Sequence, residues 1–297
     1  MNPRERGFLL LTCRMGDGKR KVLTVPQMRL LAQCVAASDI PVENGELTEE
    51  HVMALGYNRE SAQRIIGLLS EEERLDWYLE QAKKEGVIPV SRVSEDYPQI
   101  LRRRLGVNTP GCLWLKGDPA LLQLPKIALV GSRELRPENE AFARQVGEQA
   151  AKQGYALVSG NAKGADRTAQ DACLAAGGKV ISVVADELIT KTADENILYL
   201  SEDSFDLHFS AQRALSRNRV IHGLGQVVFV AQCTLEKGGT WDGTRNNLKY
   251  EWSPVFCFSD GSEGIGELIR MGAEPVRTEQ LADLTALQPS IEKLIDR

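Results

Sequence analysis

Basic side chains and glycines share several short polar stretches of this sequence. Arg133 follows Gly131-Ser132, Lys163 and Arg167 bracket Gly164, and Lys237 precedes Gly238-Gly239-Thr240. Glycine lets a backbone approach an anion closely and present its N–H groups, while lysine and arginine add mobile positive charge. With Ser159-Gly160 completing a second turn and Arg217 and Arg219 entering from a helix, these residues equip a groove for a polyanion. A lone Gly-Ser-Arg turn also fits a tight turn with a solvated arginine. Covalent chemistry finds no support. Ser132 and Ser159 have no histidine nearby to activate them, and no paired carboxylates stand at a working spacing. His51, His208 and His222 lack metal-ligand spacing, so no catalytic residue, metal or cofactor is expected.

The elements that must position these groups are legible around Ile127 to Asp166. Two short apolar runs, Ile127-Ala-Leu-Val130 and Tyr155-Ala-Leu-Val158, flank an amphipathic segment of about five turns, which predicts a βαβ unit. Both runs end in Gly/Ser corners, where an open parallel sheet places its ligands. The unit is Rossmann-like but lacks Gly-x-Gly-x-x-Gly, since Glu134 and Leu135 follow Arg133. Asp166 reads as the cap of the next helix.

Further strands are predicted at Lys179–Val184, Asn196–Leu200, Gln226–Ala231 and Pro254–Phe258, with a helix over Ala211–Gly223. Glu236–Thr244 reads as a loop whose Gly-Gly-Thr forms an anion nest ahead of a helix. Phe209 and Trp241 are candidates for stacking on a base, although burial is the ordinary fate of both. Val255, Phe256, Ile265, Leu268 and Ile269 fit either core packing or a contact between two copies of the chain.

Residues 1–115 read as a mostly helical domain without a catalytic signature. Thr48–Gly56 and Asn58–Leu69 resemble a small helix-hairpin-helix or SAM-like pair, and Glu71–Glu85 a solvated charged helix. Arg102-Arg103-Arg104 would splay around a helix as a solvated face. The fold class expected is α/β, an extended Rossmann-like, mostly parallel sheet over residues 116–280. A smaller N-terminal helical domain precedes it, and a helical tail follows over 281–297.

With 297 residues the chain can hold two domains, and its net charge of -5 excludes nucleic-acid binding through overall charge alone. Residues 260–297 carry 4 basic and 8 acidic side chains, so much of the acidity sits away from the candidate groove. The six cysteines lie far apart without a Cys-x-x-Cys pair, as in a reducing compartment. Gly7–Thr12 is too short for a signal peptide and no run reaches membrane-spanning length, so a cytoplasmic protein is expected.

Tyr97-Pro98, Leu115-Lys-Gly-Asp118, Val130-Gly-Ser-Arg133, Ser159-Gly-Asn-Ala-Lys-Gly-Ala-Asp166 and Arg217-Asn-Arg219 occur in this order between Asp96 and Gly272. The pattern resembles the DNA-processing protein A (DprA, also Smf) family. That resemblance implies an extended Rossmann fold that binds single-stranded DNA without catalysis. It implies protection of incoming strands, loading of a RecA-type recombinase during natural transformation or DNA recombination, and a homodimer. Carried onto matching positions, Arg133 and Lys163 would be the main phosphate contacts, with Arg217 and Arg219 in support. Two departures stand out. Lys237–Thr244 replaces the family's Ser-Gly-Ser-rich turn, and the sequence lacks the winged helix of many members, which suggests a divergent subfamily serving repair or defence.

A rival reading is a sensor or hydrolase of a nucleotide-derived ligand in the same crevice. Lys-Gly-Gly-Thr…Gly-Thr resembles the loop of lysine-decarboxylase-like nucleotide phosphoribohydrolases. Their catalytic glutamate position is Asn247 here, and Glu251 lies a turn later.

Overall fold

The computed structural model describes residues 1–38 and 47–287. The chain divides into two compact units that interleave in sequence. One comprises residues 1–97, 107–114 and 202–205, and the other 98–106, 115–201 and 206 onward.

The first unit is mainly helical: α1 (Pro3–Thr12), α2 (Val25–Ala36), α3 (Glu49–Ala54), α4 (Arg59–Leu69) and α5 (Glu72–Lys84). Asn2, Thr24 and Thr48 each begin a helix with a reciprocal capping box, satisfying amides that a helix start leaves without partners. Leu11, Leu23, Leu31, Val52, Ala62, Ile65 and Leu68 form the core. The helix expected to be solvated, α5, instead buries one face through Leu75, Tyr78 and Ala82. Tyr78, Trp114 and Phe205 pack as three rings with centroids 4.7 to 5.4 Å apart. Two short strands, β1 (Val87–Ser91) and β2 (Cys112–Lys116), run side by side, and the first three residues of β2 belong to this unit.

The second unit is a parallel α/β layer. Its strands are β3 (Lys126–Val130), β4 (Ala156–Ser159), β5 (Lys179–Val183), β6 (Ile197–Ser201), β7 (Val228–Val230), β8 (Val255–Phe258) and β9 (Glu274–Val276). They lie in the order β6-β5-β4-β3-β7-β8-β9, and every described pairing among them is parallel. In β3 all five residues are buried, as expected of a strand covered on both faces. Ile127 and Leu129 join the cluster formed with α7 (Pro137–Lys152) and α8 (Ala165–Ala175). On the other face, Ala128 approaches Gly225 at the end of α9 (Ala211–Leu224). The layer is completed by α6 (Gln99–Leu105), α10 (Gly238–Tyr250) and α11 (Glu263–Arg270). The expected mostly parallel, Rossmann-like sheet is therefore present.

Three local expectations are corrected. First, Arg104 does not belong to a solvated face. Its guanidinium donates to the carbonyls of Gly223, at 3.2 Å, and of Gly225, which α9 leaves without intrahelical partners. Burial, then the charge of Arg103, lowers its pKa to about 10. Second, Val255, Phe256, Ile265 and Leu268 are buried within the chain itself, so they offer no surface to a second copy; only Ile269 of the five is half-buried. Third, α10 begins at Gly238, so most of the stretch expected to be a loop is helix. Glycine is a poor helix former, which hides this start from the sequence. Its use here is close packing. A Cβ at Gly243 would lie 3.2 Å from both Asn218 Cβ and His222 Nε2 of α9.

Of the tail expected to be helical, Thr278–Ala282 and Thr285–Leu287 are short 3-10 turns, and residues 288–297 lie outside the described residues.

Candidate nucleic-acid interface

Strand order places the candidate site. The chain proceeds from β3 outward through β4, β5 and β6, then returns to the other side of β3 with β7. Between β3 and β7 the direction of winding switches, and at such a point the loops leaving the strands diverge and open a crevice. A cleft of about 840 Å³ lies there, lined in part by Gly131, Ser132, Arg133, Arg217, Lys237, Gly238, Gly239 and Thr240.

The loop after β3 is anchored across the switch. Ser132 donates its amide to the carbonyl of Gln232 at 3.0 Å. The Gln232 side chain accepts from the Arg136 amide and donates to the Glu134 carbonyl, both at 3.0 Å. Farther along, Arg136 pairs with Asp260, and Asn139 donates to both Ala231 O and Asp260, each at 2.7 Å. Gln232, Asn139 and Asp260 escaped the sequence reading because uncharged or isolated polar residues carry no periodic signal.

The loop after β4 presses against the same loop. Ala165 N donates to Ser132 O at 3.1 Å. Gly164 has φ +87°, and a Cβ there would lie 2.5 Å from the carbonyl oxygens of both Ser132 and Arg133. Gly131 is equally confined, because a Cβ there would meet that of Ala165 at 2.4 Å. Only glycine permits this approach. Arg133 and Lys163 thus project from loops in backbone contact, and both are exposed. Among the described residues neither side chain is held in an ion pair.

The remaining predicted residues take several places. Ser159 and Gly160 are buried at the end of β4. Arg167 is exposed on α8 and Lys237 at the start of α10. Arg219 turns back to the Ser216 carbonyl at 2.8 Å and, with Ser159, Gly160, Lys163, Gly164 and Arg167, does not line the cleft. Arg217 is only 7 % exposed. Its guanidinium donates to Gly160 O at 2.8 Å and lies 3.9 Å from Asp166. Burial pushes the Asp166 carboxyl above its ordinary range, while Arg217 and the Ala162 amide pull it back. Asp166 is not a cap: it sits inside α8 and accepts from the Ala162 amide, at 3.3 Å, in the preceding loop. Gly238, Gly239 and Thr240 form the first turn of α10, which has no side-chain cap, and the Thr240 hydroxyl donates to Gly131 O at 2.9 Å. Of the two aromatics, Trp241 is buried, whereas Phe209 is 57 % exposed just ahead of α9.

The position that would carry a glutamate in the phosphoribohydrolase reading faces inward. Asn247 is fully buried, donates to His222 Nδ1 at 3.0 Å and to Ser253 Oγ at 3.1 Å, and accepts from Ser253 N at 2.9 Å. Glu251 caps the opposite end of α10 from the cleft. That motif supplies no carboxylate to the site.

The profile of the family described as DNA recombination-mediator protein A matches residues 89–286. The chain belongs to that family. The DNA processing protein DprA of Streptococcus pneumoniae is 32% identical over 193 residues, covering 58% of this chain and 66% of the relative. Protein Smf of Escherichia coli is 30% identical over 236 residues, 73% of this chain and 61% of that one. The chain thus spans somewhat less than two thirds of these curated relatives. The X-ray structure of DprA from S. pneumoniae superposes with a TM-score of 0.70 at 25% identity, covering 95% of this chain and 97% of the other. DNA processing protein A from Helicobacter pylori, described for its single-stranded DNA binding mode, gives 0.56 at 25% identity over 68% of this chain and 97% of its own. Membership of the DNA recombination-mediator protein A family, expected from the order of the short motifs, is thereby established, and with it the fold.

Proposed function

We propose that this chain binds single-stranded DNA along the rim of its parallel sheet, without catalysis, as a recombination mediator. The observation that carries the reading is the placement of Arg133 and Lys163. Both are exposed, outside any ion pair of the described residues, and borne on loops whose backbones touch beside the cleft. Two cations outside ion pairs, carried on touching loops, suit the phosphates of one strand, and the uncapped first turn of α10 adds backbone donors and a positive dipole. Lys237 and Arg167 extend the positive track. The relative from H. pylori supports the same ligand. In this reading the protein works in the cytoplasm as a homodimer that shields strands and passes them to a RecA-type recombinase.

Phe209 is the exposed aromatic suited to stacking on a base, a contact worth about 1–3 kcal/mol. Phe209→Ala is expected to weaken binding of oligothymidine by that amount while leaving thermal unfolding in place. The deciding experiment is a titration with oligothymidine against duplex and mononucleotide competitors across a range of salt. Single strands are expected to win over both competitors, with affinity falling as salt rises. Binding that persists in high salt but yields to a mononucleotide would instead favour a small ligand in the cleft.

A further inference from the structure

Arg217 and Asn218 stand side by side on α9, joined to each other, and each also holds a backbone carbonyl of a different segment. Arg217 Nη2 donates to Gly160 O at 2.8 Å and Nη1 to Asn218 Oδ1 at 2.9 Å. Asn218 Nδ2 in turn donates to Gly239 O at 2.9 Å. The guanidinium fills the space over Gly160 so completely that a Cβ there would lie 1.9 Å from Nη1. The contacts continue beyond α9. Thr240, next to Gly239, donates to Gly131 O at 2.9 Å, and Ala165 N returns from the β4 loop to Ser132 O at 3.1 Å. The result is a closed ring: β4 loop, α9, first turn of α10, β3 loop, and back to the β4 loop.

We propose that Arg217 and Asn218 form a positioning clasp that leaves phosphate binding to other residues. The pair fixes the start of the loop bearing Lys163 relative to α10, and through Thr240 relative to the loop bearing Arg133. Arg217 is thereby reassigned from the phosphate contact its sequence position suggests. The inference rests on the single-stranded DNA reading of this site. Its chemistry separates it from a phosphate contact. A guanidinium serves two acceptors in fixed directions, which the ammonium of lysine cannot reproduce, whereas a phosphate contact is marked by its share of the salt slope, which a clasp does not carry.

The test compares wild type with R217K, R217A, N218A and the R217K/N218A double variant. The readouts are oligothymidine affinity at several salt concentrations and amide hydrogen exchange of residues 160–164 and 238–240. R217K is expected to lose about tenfold in affinity, as much as R217A, since each forfeits a charge-assisted hydrogen bond. The salt slope should stay at the wild-type value, and the double variant should lose no more than R217K alone. Exchange should quicken in both segments. Wild-type affinity in R217K, or a slope reduced by one phosphate in R217A, would overturn the clasp and restore Arg217 as a contact. If the wild type itself fails to bind oligothymidine, the DNA reading falls. The exchange data then judge the clasp alone, with unchanged protection in R217K refuting it. Should R217K not fold, N218A carries the same readouts.

Discussion

Removing the guanidinium of Arg133 takes one cation from the rim without disturbing a hydrogen bond of the fold. For single strands each neutralised phosphate contributes roughly -0.7 to the slope of log affinity against log salt. Arg133→Ala is therefore expected to make the slope shallower by about that amount, and Lys163→Ala by as much again, for all sequences alike. Unchanged slopes in a folded double variant would move the strand to another surface. A different residue governs stability in acid. His222 is fully buried and accepts a hydrogen bond from Asn247 at Nδ1, which holds the ring neutral with its proton on Nε2. Burial, then the charge of Arg217, lowers its pKa from 6.5 to about 3. The folded state therefore resists a proton that the unfolded chain accepts. This contribution is complete above pH 6.5 and is lost as pH falls toward 3, at up to about 1.4 kcal/mol per pH unit. Urea unfolding from pH 7 to 4 should show that slope, and His222→Asn, which keeps an acceptor for Asn247, should flatten it.

Among elements, the contact between the β3 and β4 loops is the one that tolerates least change. Gly164→Ala would combine a backbone at φ +87° with a Cβ driven into two carbonyl oxygens. The strain is on the order of 1–3 kcal/mol, and relief requires the loops to part. Oligothymidine affinity should fall together with thermal stability. By contrast, Gly154→Ala, at φ +76° with open space around it, should lower stability alone. The elements themselves were legible to different degrees. β3 and β4 announced themselves because strands covered on both faces are written as unbroken apolar runs. α10 did not, because its first turns hold Gly238, at φ +83°, and Gly239 and Gly243, whose missing side chains let α9 approach, rather than residues of good helix propensity. Charge was visible everywhere, but its destination was not. Arg104 and Arg217 spend their guanidinium groups on backbone carbonyls, and nothing in their spacing distinguishes them from Arg133. Phe209 and Trp241 looked alike as sequence, and tertiary packing separated them.

For the molecule as a whole, the interleaving of the units decides where it can be cut. Leu101 and Leu105 of α6 are buried, and a Cβ at Gly223 would press on both. With Arg104 on the carbonyls at the end of α9, α6 belongs to the sheet unit although it precedes residue 116. A fragment starting at Lys116 would leave that face of α9 bare, at a cost of several kcal/mol for two buried leucines. It is expected to unfold at lower temperature and to bind a hydrophobic dye, whereas a fragment starting at Pro98 should keep α9 covered. Equal unfolding temperatures for the two fragments would show that α6 adds nothing to the sheet.

The pairing of β3 with β7 also has a temporal side. Ala128 lies beside Val228, a hundred residues downstream, while its neighbour on the other side, Val158, follows after only thirty. On a ribosome adding about 5–20 residues each second, one edge of β3 waits on the order of 4–14 s longer than the other for its partner. Until then its peptide groups are a template for any passing strand. The strand that ends at Val130 and bears the first loop of the rim is thus begun early and completed late. In a newborn chain it is the sheet's most exposed seam.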